Sequence, residues 1–319
     1  MDFGFWILYW QRNARRAGVF ASLALACLFA LASCHRAPPS PATNPARGDL
    51  RIVSFSPAIS RTLVDLGLQD RIVGRTPYCS SLDQTIPVVG DLQNIDFETL
   101  VRLHPTHLLI QPPGGIVDPH LREVASEHGW TIADWHLDSI DDIRALVREI
   151  PERLFEKPTD ESTEIARRSQ ALLGRIDRAV APNAEAPLLF RGRVLMVESV
   201  NPVLAFGTGT YLDDVLRALG AENAVKDRGW VQLSLEDVVR MAPDAIIIVS
   251  PGKTSIDLLR EAGALATIDI PATHAQRMAV LSHVDALLPS SGVTGVAQDM
   301  RSILREFAPP SAAQDNRPR

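Results

Sequence analysis

Phe97-Glu98-Thr99-Leu100-Val101-Arg102-Leu103-His104-Pro105 returns later in the chain as Leu235-Glu236-Asp237-Val238-Val239-Arg240-Met241-Ala242-Pro243. In both copies the apolar residues keep helical spacing, Glu and Arg hold the same places, and a proline stops the helix. A short apolar run follows in register each time, Leu108-Leu109-Ile110 and Ile246-Ile247-Ile248. Such runs read as buried strands. A helix–strand unit written twice predicts a body of two similar α/β lobes.

The flanking sequence extends each copy. Leu50 to Phe55 is a β-branched run ended by Ser56-Pro57, and Ala58 to Leu66 has helical spacing closed by Gly67. Ile72-Val73-Gly74 reads as a second strand, Leu121 to His128 as a helix ended by Gly129, and Thr131 to Trp135 as a further strand. Ser139, with Asp142 three residues on, opens another helix. In the second half, Arg193 to Val197 and Ala245 to Val249 read as strands and Tyr211 to Leu219, closed by Gly220, as a helix. Strands alternating with helices imply parallel sheets covered on both faces.

Between the halves, Thr159 to Val180 keeps helical spacing through Ile165, Leu172, Leu173, Ile176 and Val180, and Pro182 ends it. A helix of about 22 residues is a rod of roughly 33 Å, which suits a spine between lobes. The expected fold is therefore α/β, with two parallel-sheet lobes bridged by one long helix and a ligand cleft between them. The lobes are expected over 50–157 and 183–307, the bridging helix over 158–182, and a disordered tail over 308–319.

In open α/β sheets ligands sit beyond the carboxyl ends of strands. The loops there carry Ser56, Pro57, Tyr78, Asp91, Trp135, Gly207, Trp230 and Lys253, which become the candidate ligand contacts. The three aromatic side chains suit a large flat or greasy ligand; Lys253 suits an anionic group. Packing or ordinary surface roles are the alternative for each.

The N-terminus carries a different signal. Arg12, Arg15 and Arg16 precede an apolar run from Ala17 to Leu31 that ends in Leu31-Ala32-Ser33-Cys34. The run is short for a span, which needs about 20 residues, and suits a signal-peptide core. The last four residues resemble a bacterial lipobox, so 1–33 are expected to be removed and Cys34 acylated, with 34–49, rich in Pro38, Pro39, Pro41 and Pro45, as a tether. This places the protein outside the cytoplasm, lipid-anchored to a membrane. A net charge of −6 gives no electrostatic footprint for nucleic acid. Cys27, Cys34 and Cys79 form no disulfide framework.

Other motifs fail on inspection. Gly252-Lys253-Thr254 resembles the end of a phosphate-binding loop, but Ile247 stands where that loop needs glycine. Gly207-Thr208-Gly209 lacks the third glycine of a dinucleotide fingerprint, which is Leu212. Its glycines either admit a ligand to the backbone or simply make a turn. His104 and His107 are separated by Pro105 and need not share a face, and Cys79 reads as a small packed residue. No catalytic constellation and no set of convergent metal ligands is visible.

Arg51-Ile52-Val53-Ser54-Phe55-Ser56-Pro57-Ala58, Leu66-Gly67-Leu68, Arg71-Ile72-Val73-Gly74, Val89-Gly90 and Glu98 through Pro105 resemble the first lobe of periplasmic cobalamin- and ferric-siderophore-binding proteins. Gly207 through Leu212, Ala218 through Asn223 and Glu236 through Pro243 resemble the second lobe. The resemblance covers nearly all of 50–307. It implies two lobes on one long helix, limited hinge motion, no enzymatic activity, and delivery of a ligand to an ABC permease and its ATPase; a monomer with no resident cofactor is expected. It implies docking through an acidic residue on each lobe, for which Asp118 and either Asp257 or Glu261 are the candidates, none of them a clean match to the family's glutamate positions. The expected cargo is a corrinoid such as cobalamin, with a ferric siderophore next and haem third. A two-lobed metalloenzyme and a permease-independent sensor are the readings from other classes.

Overall fold

The computed structural model describes residues 50–181, 189–252 and 262–309. The expected signal peptide, Cys34 and its tether, Lys253, Asp257, Glu261 and residues 310–319 lie outside the described residues. No helix among the described residues is long and apolar enough to cross a membrane.

The N-terminal sheet holds β1 (Ile52–Ser54), β2 (Ile72–Arg75), β3 (His107–Ile110) and β4 (Thr131–Asp134), in the order β2-β1-β3-β4 with every pair parallel. Its helices are α1 (Pro57–Asp65), α2 (Phe97–Arg102), α3 (Pro119–His128) and α4 (Ile140–Leu154). The spine, α5, runs over Asp160–Val180, with Thr159 as N-cap in a reciprocal capping box with Ser162.

The C-terminal lobe contains β5 (Arg193–Val200), β6 (Val203–Phe206), α6 (Tyr211–Ala218), β7 (Glu222–Asn223), β8 (Trp230–Leu233), α7 (Leu235–Met241), β9 (Ala245–Val249) and β10 (Met278–Leu281). The last helix, α8, runs over Val293–Phe307. The sheet order is β10-β9-β5-β6-β8, with β7 beside the start of β5. The expected strands are present as β5 and β9, paired parallel, and β7 and β10, which the sequence reading lacks, join them in a parallel core. It is extended by a feature the sequence reading lacks. β5 continues past Val197, turns at Asn201-Pro202, and pairs antiparallel with β6, which pairs antiparallel with β8.

The sequence repeat is also a structural repeat. The residue before each stop proline, His104 or Ala242, has positive φ, 43° and 47°. At the head of each lobe an arginine caps the carbonyls freed there. Arg51 donates to Leu103 O at 2.7 Å and His104 O at 3.1 Å; Arg193 donates to Met241 O at 2.9 Å and Ala242 O at 2.7 Å.

Each sheet has its own outer cluster, around Leu100, Leu108 and Leu121 in the first lobe and Leu195, Ile246 and Leu265 in the second. The inner faces share a single core. Ile59, Leu63 and Leu146 pack in one cluster with Leu172 and Ile176 of α5 and with Leu212, Val296 and Met300 of the second lobe. Parting the lobes would expose apolar surface from both, which opposes wide opening. Polar ties reinforce the seam. Arg61 of α1 bonds Asp285 at 3.1 Å, Ser291 Oγ donates to Asp65 at 2.7 Å, and Asp214 of α6 accepts the Ile140 N–H at the head of α4 at 3.0 Å.

Candidate functional site

Loops at the carboxyl ends of the parallel strands are held by buried polar contacts beneath them. Ser56, at the end of β1, caps α1 by accepting the Ile59 N–H and donates to Gln111 Oε1 at 2.7 Å, joining the ends of β1 and β3. Ser60 Oγ lies 2.9 Å from Ser54 Oγ and 3.1 Å from Cys79 Sγ, and Thr76 Oγ1 lies 3.2 Å from the same sulfur. Cys79 is fully buried in this network, so its thiol serves packing. Anchored on both sides, the loop after β2 leaves Tyr78 65% exposed.

Tyr78 is not alone. Ile116, in the loop after β3, is 76% exposed, and Val284, after β10, is 71% exposed. Large apolar side chains thus meet solvent at the carboxyl ends of three strands, from both lobes, the ends at which open α/β sheets take ligands. Neither Ile116 nor Val284 was among the sequence candidates. Ile116 follows the strand expected at Leu108–Ile110, a position that could have found it; Val284 follows β10, which the sequence reading lacks. At the carboxyl end of β5 a depression of about 460 Å³ is lined by Val200, Pro202, Leu233, Leu235 and Gly263, within the size range of ligand sites.

The other sequence candidates are placed as follows. Pro57 is the first residue of α1, half-buried beside Ser56. Asp91 closes a turn, its Oδ1 accepting from Gln93 N at 2.9 Å and Asn94 N at 3.0 Å. Trp135 was expected on a cleft loop; it is buried in the shared core, its Nε1–H donates to Glu149 at 3.0 Å, and Arg153 lies 5.7 Å over the ring. Trp230, likewise expected on a loop, opens the edge strand β8. Its ring is half-exposed and its centroid lies 4.4 Å from that of Phe206. Gly207 lies beside it and donates to Gly229 O at 2.7 Å. A Cβ at Gly207 would come within 2.1 Å of Asp227 O, so this glycine serves backbone packing. Asp118 is exposed and caps α3, accepting the Leu121 N–H at 3.0 Å.

Charged groups on the described strand-end loops are partly engaged already. His136 pairs with Asp138 at 2.8 Å, and Asp285 is turned inward onto Arg61. Burial lowers the pKa of His107, which sits on β3 with Nδ1 at 2.9 Å from Thr106 Oγ1. Among the described residues no three His, Cys, Asp or Glu side chains converge as a metal site.

A family profile described as Periplasmic binding protein matches residues 52–282. A vitamin B12-binding protein of Pectobacterium carotovorum subsp. carotovorum (strain PC1) is 25% identical over 208 residues, covering 62% of this chain and 70% of that protein. An uncharacterized ABC transporter substrate-binding lipoprotein of Bacillus subtilis (strain 168) is 24% identical over 203 residues, covering 62% of each. Among solved structures, the periplasmic heme-binding protein BhuT with two hemes superposes with a TM-score of 0.63 at 22% identity, covering 82% of this chain and 99% of that one. The last likeness shows the fold.

Proposed function

The chain belongs to the periplasmic binding protein family, whose members are substrate-binding proteins of ABC transporters and not enzymes, and from that premise we propose that it captures a corrinoid such as cobalamin outside the cytoplasm. The observation that carries this reading is the set of exposed apolar side chains on strand-end loops of both lobes, Tyr78, Ile116 and Val284, with few charged groups among them. A ligand covered by such a surface is large and mostly uncharged at its contacts. The vitamin B12-binding relative supports the corrinoid. Trp230, half-exposed on β8, and Ser56 with Pro57 at the head of α1 complete the proposed contacts.

Delivery is to a permease and its ATPase. Asp118 is the proposed docking carboxylate of the first lobe. Cys34 is the proposed acylation site, a reading to which the Bacillus lipoprotein adds support. A single copy suffices for this role.

Haem is the second reading, favoured by the exposed phenol of Tyr78, since a tyrosine oxygen can ligate haem iron. A ferric siderophore with many anionic donors fits less well, because the described strand-end loops offer few cations. Calorimetric titration with cyanocobalamin tests the proposal. Saturable one-to-one binding supports it, whereas silence toward cobalamin with binding of haem moves the cargo to the second reading.

A further inference from the structure

The last turns of α5 and α8 gather arginines at one corner of the second lobe. Arg301 donates to Ala179 O at 2.8 Å and Ala181 O at 3.2 Å, so the end of α8 lies on the end of α5. Arg277 donates to Phe307 O at 3.0 Å and lies 5.0 Å over the ring of Phe190. Arg178, Arg191 and Arg305 are exposed around this corner, and none makes an ion pair among the described residues. Burial and the neighbouring Arg305 hold the Arg301 guanidinium below its usual pKa, as expected for crowded positive charge. The nearby carboxylates Asp177 and Asp244 are engaged by Arg144 and Arg193. Glu306, and Asp299 earlier on α8, are exposed and make no ion pair among the described residues.

The position of this corner is informative. α5 starts beside the amino end of β2, where Arg71 meets Glu161 at 2.8 Å, and ends just ahead of β5. The amino ends of both sheets therefore flank α5, and the chain enters the first of them at Leu50. Tyr78, Ile116 and Val284 lie at the other ends of the strands. On a chain of net charge −6, an arginine cluster with no ion pair among the described residues is the part of the surface that an anionic partner would attract.

We infer that this arginine corner docks on an anionic phospholipid surface, so that the tethered body rests with its ligand loops turned to solvent. The inference rests on the proposed acylation of Cys34, which brings the body within reach of a bilayer. Each basic residue near an anionic membrane strengthens binding by roughly fivefold, a grip weak enough to release the body to a permease.

The test is co-sedimentation of the full acylated chain with vesicles of phosphatidylcholine, with and without phosphatidylglycerol, in the absence of cargo. The anchor acts equally on both vesicles, so the ratio of the two partition coefficients reads the corner and still reads it if the corrinoid proposal fails. The expected result is a preference for phosphatidylglycerol that fades at high salt. Arg178→Gln, Arg191→Gln and Arg305→Gln combined should reduce that preference by about a hundredfold without moving the unfolding midpoint. Glu306→Gln should raise it. Equal partition into the two vesicles, or a preference indifferent to these variants, overturns the inference. So does arginine-dependent binding of polyglutamate without any vesicle preference, which would make the partner an acidic protein.

Discussion

Arg51 and Arg193 hold equivalent places in the two lobes and perform the same task. Each lays its guanidinium on the last carbonyls of the repeated helix, Leu103 and His104 in one case and Met241 and Ala242 in the other. Each also anchors its own backbone N–H on the side chain just past the stop proline, Thr106 or Asp244, at 2.9 and 2.8 Å. Charge-assisted bonds of this kind are worth about 1.5–3 kcal/mol, and less at a half-exposed site. Arg51→Ala and Arg193→Ala should therefore each lower stability by roughly 1–2 kcal/mol. Because they lie in different lobes, the double variant should be additive. Urea denaturation measures all three, and a coupling above about 1 kcal/mol would contradict independent clamps.

The seam is predicted to be a coupled unit. Asp285 is nearly buried and meets Arg61, which also holds Asp65 at 3.1 Å. Exposed pairs contribute little, with a median near 0–1 kcal/mol. A double-mutant cycle on Arg61→Met and Asp285→Asn should exceed that range, since removing one partner leaves a charge with little water around it. A coupling near zero would make the seam depend on its apolar core alone.

Asp214 gives the stability a pH signature. Burial raises its pKa, a shift opposed by its bond from Ile140 N, reinforced by Asp213 and Asp141 and reduced by Arg217. A carboxylate with a raised folded pKa contributes stability that is present below its unfolded pKa and lost as pH rises through the folded value. Asp214→Asn, whose amide oxygen can still accept from Ile140, should raise the unfolding midpoint at neutral pH, with the gain shrinking as pH falls toward the ordinary carboxylate range. A gain independent of pH would contradict this assignment.

Two tryptophans should separate stability from binding. Trp135→Ala opens a cavity in the shared core and should cost about 3–5 kcal/mol. Trp230→Ala removes a half-exposed ring resting on Phe206 and should cost far less, while weakening cobalamin binding by at least about tenfold, or roughly 1.4 kcal/mol. Thermal melts and calorimetry on the two variants check both halves. Unchanged affinity in Trp230→Ala would remove it from the ligand surface.

The sequence carried the architecture because the architecture rests on local signals. The repeated helix, its stop proline and the Thr159 cap of α5 are each legible within a few residues. The strands β6 and β8 were not, because Val203–Phe206 and Trp230–Leu233 are four-residue strands whose pairing partners lie on other segments. The same limit applies to the site. A tryptophan at a strand end reads alike whether it meets a ligand or, as Trp135 does, packs on a helix and bonds Glu149. Ile116 has a strand-end position, but its sequence does not separate it from its buried neighbour Val117, and Val284 follows a strand that the sequence reading lacks.

The most direct test of the central claim is competition calorimetry of the protein with cyanocobalamin and haem. Saturable one-to-one binding of cyanocobalamin is expected at micromolar affinity or tighter, about −8 kcal/mol, with quenching of tryptophan fluorescence that is lost in Trp230→Ala. Saturable haem binding with no response to cyanocobalamin would contradict it.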